Sequence, residues 1–325
     1  MKNILLFRWG SLGDLLVTFP SIYWLRNHLS SCWITLVGRK EYGSLLEKTG
    51  VVDELLSAED RRLRPLFSQS PEESLQVRKW IHKYSWMMGW FQSLRTARIK
   101  ESSFLTPKES YFFVYDSSQP KRVSRFFFDK TVECLQGKKP SLCWFNQYQK
   151  LPLGRREKKE SLNLLPSRFV SSFSPFVVVH PGSGSPRKCW PWPRFLRLIQ
   201  DLTHHRIKGI LVTGPAEERL ESQIHESPLP SSWVWLRNPS LFGLSSLISQ
   251  ACFYLGNDSG VTHLAALCAP QGLALFLKEY EKEWRPLGNI SVLSADSIDM
   301  IGYDSVRETI FNKLIAHGGS ATLNK

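Results

Sequence analysis

The sequence offers few of the residues from which a metal centre, a disulfide framework or a membrane span is built. Its six cysteines contain no C-x-x-C pair and no spacing typical of metal ligands, so we expect reduced thiols in a cytoplasmic protein. No apolar run approaches the ~18 residues that a transmembrane helix needs. The N-terminal stretch begins like a signal peptide, but Arg8 and Asp14 interrupt it before an apolar core forms, which argues against secretion.

Two patterns of common nucleotide-dependent enzymes are also missing. A dinucleotide-dependent oxidoreductase is expected to carry G-x-G-x-x-G after its first strand, whereas residues 10–14 are GSLGD. No pair of carboxylates is placed as a clamp for a metal-bound diphosphate, so we expect no metal ion and no cofactor. These absences disfavour an oxidoreductase and leave other nucleotide-binding proteins open.

Positive charge is abundant and unevenly distributed. The chain has 42 Lys and Arg against 29 Asp and Glu, a net charge of +13. Residues 1–165 contain 27 basic and 16 acidic side chains, and residues 166–325 contain 15 and 13. The N-terminal half is therefore expected to face an anionic partner, which is a nucleic acid, an anionic lipid or a phosphorylated glycan. A basic surface that only keeps the protein soluble is the alternative.

The pattern of apolar residues predicts an α/β protein of about two domains, the usual number for 325 residues. In the C-terminal half, short apolar runs alternate with helical stretches, as in a parallel sheet covered on both faces. We predict two doubly wound, Rossmann-like domains facing a central cleft, formed by residues 1–160 and 175–325. The polar segment 150–175 is the predicted linker.

Individual elements are predicted from the apolar runs. The predicted strands are residues 3–7, 33–38, 176–180, 209–214, 233–236, 252–256 and 273–277. The predicted helices are residues 14–29, a segment near 41–49, and residues 193–202 and 260–268. Residues 60–130, rich in aromatic and basic side chains, give no clear periodicity. Trp86, Trp90 and Phe126–Phe128 in this segment are expected either at a membrane interface or in the core.

Small residues follow the strand at 176–180, in the segment HPGSGSPRKCWPWP. Gly182, Ser183 and Gly184 would let backbone amides approach an anion, and Lys188 would supply a positive charge without a metal ion. The segment predicts a phosphate site, with an ordinary surface turn rich in proline and glycine as the alternative.

Two more loops after predicted strands carry polar side chains. Glu217, in TGPAEE, is placed either to bind ribose hydroxyls or to complement a helix dipole. In GNDSGVTHLAA, Asp258 or Ser259 can cap the following helix, and Gly260 exposes its first amides. His263 lies one turn into that helix, where it either contacts a ligand or packs within the protein.

The N-terminal turn, RWGSLGDLL, differs from a phosphate loop because it ends in a carboxylate. Gly10 and Gly13 allow the chain to bend tightly after the first strand. Asp14 would repel a diphosphate, so we expect phosphates at the C-terminal loops and a different task for this residue. It is placed either as a general base for an attacking hydroxyl or as a carboxylate that stabilises a helix N-terminus.

Taken in order, four segments resemble the ADP-heptose:lipopolysaccharide heptosyltransferase family of inverting GT-B glycosyltransferases. They are ILLFRWGSLGDLLVTFPSIYWLR, VVVHPGSGSPRKCWPWPRF, TGPAEE and GNDSGVTHLAA, within residues 3–30 and 175–277. The resemblance implies Asp14 as the catalytic base, in an acceptor-side turn formed with Gly10 and Gly13. The donor residues that it implies are Ser183, Gly184 and Lys188 for the phosphates, Glu217 for the ribose, Asp258 for the sugar, Ser259 and Gly260 for the diphosphate, and His263 near the donor.

The same resemblance implies a nucleotide-sugar donor, ADP-heptose, and an anionic lipid-linked oligosaccharide acceptor at the cytoplasmic face of the inner membrane. The charge of the N-terminal half is consistent with that acceptor and with peripheral contact with an anionic membrane; no nucleic acid is expected as a partner. Three alternatives remain: another nucleotide-sugar donor, a hydrolysing epimerase on the same scaffold, and a basic nucleic-acid-binding protein without catalysis.

Overall fold

The computed structural model describes residues 2–29, 31–66, 79–92, 109–118, 121–170 and 175–316. The chain divides into two compact units, Met1–Pro152 and Leu153–Lys325. Each unit is built on one parallel β-sheet, so the predicted α/β class is confirmed.

In the described part of the N-terminal unit, five parallel strands lie in the order β3-β2-β1-β4-β5. The chain leaves the central strand β1 on one side to form β2 and β3, and returns to the other side for β4 and β5. Such a sheet is doubly wound, with its switch point between β1 and β4. The strands are β1 (Lys2–Phe7), β2 (Cys32–Gly38), β3 (Glu54–Ser57), β4 (Trp86–Phe91) and β5 (Glu109–Val114).

The helix predicted over residues 14–29 is in fact two helices. Pro20 has no amide hydrogen for the carbonyl of residue 16, so the first helix ends and a second begins after Thr18. The hydroxyl of Thr18 donates to the Leu15 carbonyl at 2.6 Å and closes the first helix. The described helices of this unit are α1 (Leu12–Val17), α2 (Phe19–His28), α3 (Lys40–Lys48), α4 (Val123–Gln136) and α5 (Leu142–Gln147).

The aromatic residues between positions 80 and 130 contribute mainly to the core. Trp90 lies in β4 beside the central strand and is fully buried, as are Phe127 and Phe128 of α4. These three are therefore not at a membrane interface, because the sheet and its covering helix enclose them. Trp86 and Phe126 are half-buried. Residues 93–108 and 119–120 of this stretch lie outside the described residues.

In the described part of the C-terminal unit, six parallel strands lie in the order β11-β10-β9-β6-β7-β8. The chain proceeds from β6 through β7 to β8, then crosses to β9 on the opposite side of β6. The switch point of this sheet therefore lies between β6 and β9. The strands are β6 (Phe176–His180), β7 (Lys208–Thr213), β8 (Trp233–Arg237), β9 (Phe253–Asn257), β10 (Gly272–Leu277) and β11 (Ile290–Ala295).

The segment predicted as a linker contains helices that pack on the C-terminal unit. The amide of Gln250 donates to the carbonyl of Lys158 at 2.8 Å and to the hydroxyl of Ser161 at 3.1 Å, while Leu165 and Phe169 are buried. Leu165 and Phe169 thus anchor this otherwise polar segment to the C-terminal unit. The described helices of this unit are α6 (Arg155–Ser161), α7 (Ser167–Val170), α8 (Trp192–His204), α9 (Glu218–Glu226), α10 (Leu241–Ile248), α11 (Gly260–Cys268), α12 (Lys278–Trp284) and α13 (Tyr303–Ala316).

Candidate active site

The topology of the C-terminal sheet brings together the loops after β6 and β9. These strands are hydrogen-bonded neighbours, and His180 at the end of β6 is paired with Gly256 near the end of β9. The two loops therefore leave the same edge of the sheet on either side of the switch point, where ligands of doubly wound sheets bind. All the residues predicted to contact phosphate lie in these two loops.

Lys188, Ser183 and Asp258 form a connected cluster between the two loops. The ammonium group of Lys188 donates to Asp258 Oδ2 at 2.7 Å and lies 4.1 Å from the ring centroid of Tyr280. The hydroxyl of Ser183 donates to the backbone carbonyl of Asp258 at 2.6 Å. The Asp258 side chain is 7% exposed and that of Lys188 26% exposed, so the ion pair is partly shielded from water. The cluster places the ammonium group of Lys188, paired with a carboxylate, at the switch point.

The side-chain amide of Asn257, which was not predicted as a site residue, joins the two loops. Asn257, which is fully buried, donates to the carbonyl of Pro181 at 2.6 Å and accepts from the amide of Trp190 at 3.1 Å. Both partners belong to the loop after β6, whereas Asn257 ends β9. The side chain replaces solvent for two backbone groups that would otherwise be unpaired.

The helix that follows β9 begins beside this cluster. Ser259 is its N-cap, with the hydroxyl accepting from the amide of Thr262 at 3.2 Å, and Gly260 is its first residue. The Thr262 hydroxyl donates in turn to the carbonyl of Asn257 at 2.5 Å. Helix α11 therefore presents the positive end of its dipole at the switch point. His263 lies in its first turn, as predicted, and is buried.

Glu217 belongs to a neighbouring loop and reaches the switch point through His180. Its Oε2 accepts from the amide of Gly214 at 2.6 Å, which closes a 3-10 turn after β7. The same oxygen lies 3.6 Å from His180 Nε2, and both side chains are buried. Gly182 also lies against this carboxylate, since a Cβ atom there would stand 2.0 Å from Glu217 Oε1. One signal in the sequence points to His180, which is a titratable residue at the end of an otherwise apolar strand.

The structure thus brings together most of the predicted donor residues. Ser183, Lys188, Asp258 and Ser259 meet at the switch point, and Glu217 is joined to them by His180. Gly184 is exposed, and a Cβ atom at this position would meet no atom within 4 Å. Steric crowding therefore does not require glycine at residue 184.

The turn after β1 places Asp14 at the start of α1. Gly10 has a φ of +120°, and a Cβ atom there would stand 2.3 Å from Asp14 Oδ2, so this position requires glycine. Gly13 was expected in the same turn but is the second residue of α1, because the capping box of Ser11 and Asp14 starts the helix earlier. Asp14 Oδ2 accepts from both the amide and the hydroxyl of Ser11, at 2.7 and 2.9 Å.

Two further side chains, missed in the sequence, hold the other carboxylate oxygen. Arg8 Nη2 lies 3.5 Å from Asp14 Oδ1, and the side-chain amide of Gln92 also donates to this oxygen. Arg8 is almost fully buried, and burial lowers its pKa to about 10, an effect that the charge of Asp14 partly opposes. Gln92 follows β4, so these contacts span the switch point of the N-terminal sheet.

A shallow surface depression adjoins the turn that carries Asp14. Gly10 and Ser11 line it on one side, and Arg39 and Tyr42 on the other. Arg39 is the N-cap of α3 and is exposed, so it adds positive charge to the rim.

Across the described ranges, no group of three or more His, Cys, Asp and Glu side chains is arranged to hold a metal ion. In that same part of the chain, no helix combines the length and the apolar composition needed to cross a bilayer.

The chain is similar in fold to solved structures of heptosyltransferases and of a family 9 glycosyltransferase. Escherichia coli ADP-heptose LPS heptosyltransferase II is 17% identical with a TM-score of 0.76, covering 98% of this chain and 99% of that one. A family 9 glycosyltransferase from Veillonella parvula is 16% identical with a TM-score of 0.77, covering 97% and 98%. E. coli heptosyltransferase WaaC with ADP is 16% identical with a TM-score of 0.71, covering 96% and 99%. At these identities the likeness establishes the GT-B fold.

The sequence of the part that carries the predicted donor-site residues is similar to one glycosyltransferase family. Residues 145–300 match glycosyltransferase family 9 (heptosyltransferase). This match confirms the predicted resemblance, and the chain is a glycosyltransferase. No curated protein sequence matches the chain.

Proposed function

We propose that the protein transfers a heptose from ADP-heptose to an anionic, lipid-linked inner-core oligosaccharide of lipopolysaccharide, with inversion at the anomeric carbon. The observation that carries the proposal is the junction of Lys188 with the N-terminus of α11 at the switch point of the C-terminal sheet. The ADP in the related WaaC structure supports adenine nucleotide as the donor. The proposed place of action is the cytoplasmic face of the inner membrane.

The C-terminal unit is the proposed donor site. Lys188 and the first amides of α11, at Ser259 and Gly260, would stabilise the negative charge that builds on the departing nucleoside diphosphate. Gly184 adds a backbone position without a side chain, beside Ser183. In this proposal Glu217 contacts the ribose. Asp258 contacts the transferred sugar, and the buried His263 lies close to the same end of the helix. Charge neutralisation is assigned to these groups, so the proposal includes no metal ion.

Asp14 is the proposed general base. Its carboxylate would take the proton of the acceptor hydroxyl while that oxygen forms a bond to the anomeric carbon. The bond from this carbon to the phosphate oxygen breaks at the same time, and the nucleoside diphosphate leaves with the electron pair. One such displacement inverts the configuration. The donors on both carboxylate oxygens hold the group in one orientation, as positioned acid–base catalysis requires.

The N-terminal unit is the proposed acceptor side. Its surplus of basic residues suits an acceptor with phosphate and carboxylate groups, and Arg39 supplies one such charge at the depression beside Asp14. The same surplus supports peripheral contact with an anionic membrane, worth about 1 kcal/mol for each basic residue near the surface.

The proposed function is tested in two steps. The shift in melting temperature is measured with ADP, UDP, GDP and NAD, and ADP is expected to give the largest shift. ADP-heptose is then incubated with lipopolysaccharide that lacks heptose, and mass spectrometry should show the addition of one heptose. A larger shift in melting temperature with UDP or GDP would indicate a donor with that nucleotide instead of ADP. A response to NAD alone, or salt-sensitive binding of DNA without a nucleotide response, would overturn the proposal.

A further inference from the structure

One buried side chain contacts two of the three loops that surround the switch point of the C-terminal sheet. His180 is the last residue of β6, and β6 lies between β9 and β7. Its Nδ1 lies 3.4 Å from the hydroxyl of Ser259, in the loop after β9. Its Nε2 lies 3.6 Å from Glu217 Oε2, in the loop after β7. Its side chain is only 3% exposed, so these contacts replace contacts with water.

The hydrogen bonds around the ring favour one tautomer. The hydroxyl of Ser259 accepts from the amide of Thr262 at 3.2 Å, and its own hydrogen is shared between the Thr262 hydroxyl at 3.3 Å and His180 Nδ1 at 3.4 Å. Nε2 then carries the proton and faces Glu217, whose carboxylate can only accept. The distance to Glu217 is too long for a hydrogen bond and corresponds to an electrostatic contact. Each nitrogen of the ring therefore has a separate partner in a separate loop.

We propose that His180 is a positioning residue that couples the two halves of the nucleotide site, the ribose side at Glu217 and the diphosphate side at Ser259. The inference rests on the proposed function, because it concerns how the same donor is bound. Without the ring, Glu217 would keep its hydrogen bond from the Gly214 amide but would lose the side chain that faces it from β6, and a buried carboxylate is destabilised when a polar partner is lost. The ring fixes Glu217 from one side while it orients the hydroxyl that caps α11.

Two substitutions separate the functions of the ring nitrogens. His180→Asn retains a polar atom near Nδ1 and loses the one near Nε2, whereas His180→Gln retains the atom near Nε2. His180→Leu removes both. The exposed His204, at the end of α8, provides the matched control His204→Gln.

The probes are the nucleoside diphosphate that binds the wild-type protein most tightly, expected to be ADP, the corresponding nucleoside, and pyrophosphate. His180→Asn should lower the affinity for the nucleoside about tenfold and change the affinity for pyrophosphate less than twofold. His180→Gln should lower the affinity for pyrophosphate about tenfold and change that for the nucleoside less than twofold. His180→Leu should weaken both. The KM for the donor should rise in all three variants while kcat at saturating donor stays within about threefold. His204→Gln should bind like the wild type.

A double-mutant cycle tests the coupling without any change at His180. Glu217→Gln and Ser259→Ala should each weaken binding of the nucleoside diphosphate. If the two residues are coupled, the loss of binding free energy in the double variant should be smaller than the sum of the losses in the two single variants. Strictly additive losses, or His180 variants that bind as the wild type does, would overturn the coupling and leave the proposed function intact. Equal loss of both probes in His180→Asn and His180→Gln would show a merely structural role. A wild-type protein that binds no nucleoside diphosphate would overturn both the proposed function and the coupling.

Discussion

Arg8 Nε donates to the backbone carbonyl of Asp14 at 2.6 Å, and Nη2 of the same guanidinium lies 3.5 Å from the Asp14 carboxylate. Nη1 donates to the carbonyl of Trp90 at 2.9 Å. The buried arginine thus ties the proposed base to the end of the neighbouring strand. The position of Asp14 depends on a cation that itself has little contact with water.

Replacement of Arg8 should impair turnover and stability together. Arg8→Lys keeps the charge but cannot reach all three oxygen acceptors, so we expect the free energy of unfolding to fall by about 2–4 kcal/mol and turnover to fall more than tenfold. Urea titration and initial rates measure the two effects. Arg26→Lys, in a structural arginine that pairs with Asp53, should lower stability but leave turnover near normal. Full activity in Arg8→Met would contradict the positioning of Asp14 by this residue.

Asp14→Asn should abolish most of the turnover and leave donor affinity unchanged. The amide preserves the shape of the side chain but cannot accept the proton, so we expect kcat to fall ~10²–10⁴-fold. Single-turnover kinetics and nucleotide titration separate chemistry from binding. The control is Asp116→Asn, at an exposed aspartate of the same unit, which should be fully active. Near-normal turnover of Asp14→Asn would assign the residue to helix capping alone.

Lys188 and its neighbour Arg187 offer a comparison of two adjacent cations. The side chain of Arg187 is 79% exposed, whereas that of Lys188 is 26% exposed and paired with Asp258. Lys188→Met should weaken the nucleoside diphosphate about 10- to 100-fold, measured by calorimetry, because a partly buried charge interacts more strongly with phosphate. Arg187→Met should change the affinity less than twofold. Equal effects would indicate general electrostatic attraction rather than a site.

Asn257 and Asn289 both donate a side-chain amide to a proline carbonyl, but only Asn257 is buried. Asn257→Ala leaves the carbonyl of Pro181 and the amide of Trp190 unpaired, which should lower the free energy of unfolding by about 2–4 kcal/mol. Asn289→Ala should cost less than about 1 kcal/mol, since water can replace the lost bond. Chemical denaturation of both variants checks the difference. Similar losses would show that burial of Asn257 is unimportant.

The cysteines should differ in reactivity. Burial raises the pKa of Cys134 to about 12 and that of Cys252 to about 11, so both remain protonated at pH 8, whereas Cys143 is exposed. Alkylation at pH 8, followed by peptide mass spectrometry, should label Cys143 at least about tenfold faster. Raising the pH should accelerate the alkylation of Cys252, because the fraction of its thiolate form increases. Cys143→Ser should remove the fast phase of alkylation. Equal labelling rates for all three cysteines would contradict the partial burial of Cys134 and Cys252.

The sequence predicts the central strands of the C-terminal sheet to within one residue because they are apolar except at their ends. Strands β6, β7, β9 and β10 are completely buried in the structure, and helices cover both faces of such a sheet. The undetected strands β3, β5 and β11 are all edge strands with partly exposed residues. Their mixed composition carries no clear period, since one side of each strand contacts solvent. Strand β4 is buried, but its continuous apolar run is equally compatible with a helix.

The site residues that could be predicted from the sequence are those in loops that follow a predicted strand. Lys188 and Asp258 are conspicuous because a doubly wound sheet brings the loops after its central strands together. Arg8, His180 and Asn257 were missed because each lies at the end of a strand, where polarity is easily attributed to the following loop. Their partners are distant in the sequence, and only the sheet register places them in contact.

The close approach of Gly182 to Glu217 has an evolutionary consequence. A single methyl group at residue 182 would occupy the space of the carboxylate, so residue 182 cannot gain a side chain while Glu217 stays in place. A descendant of this chain with a bulkier residue at 182 should carry a shorter or redirected side chain at 217. In the descent of such a protein, the change at residue 217 would have to come first or arise together with the one at residue 182.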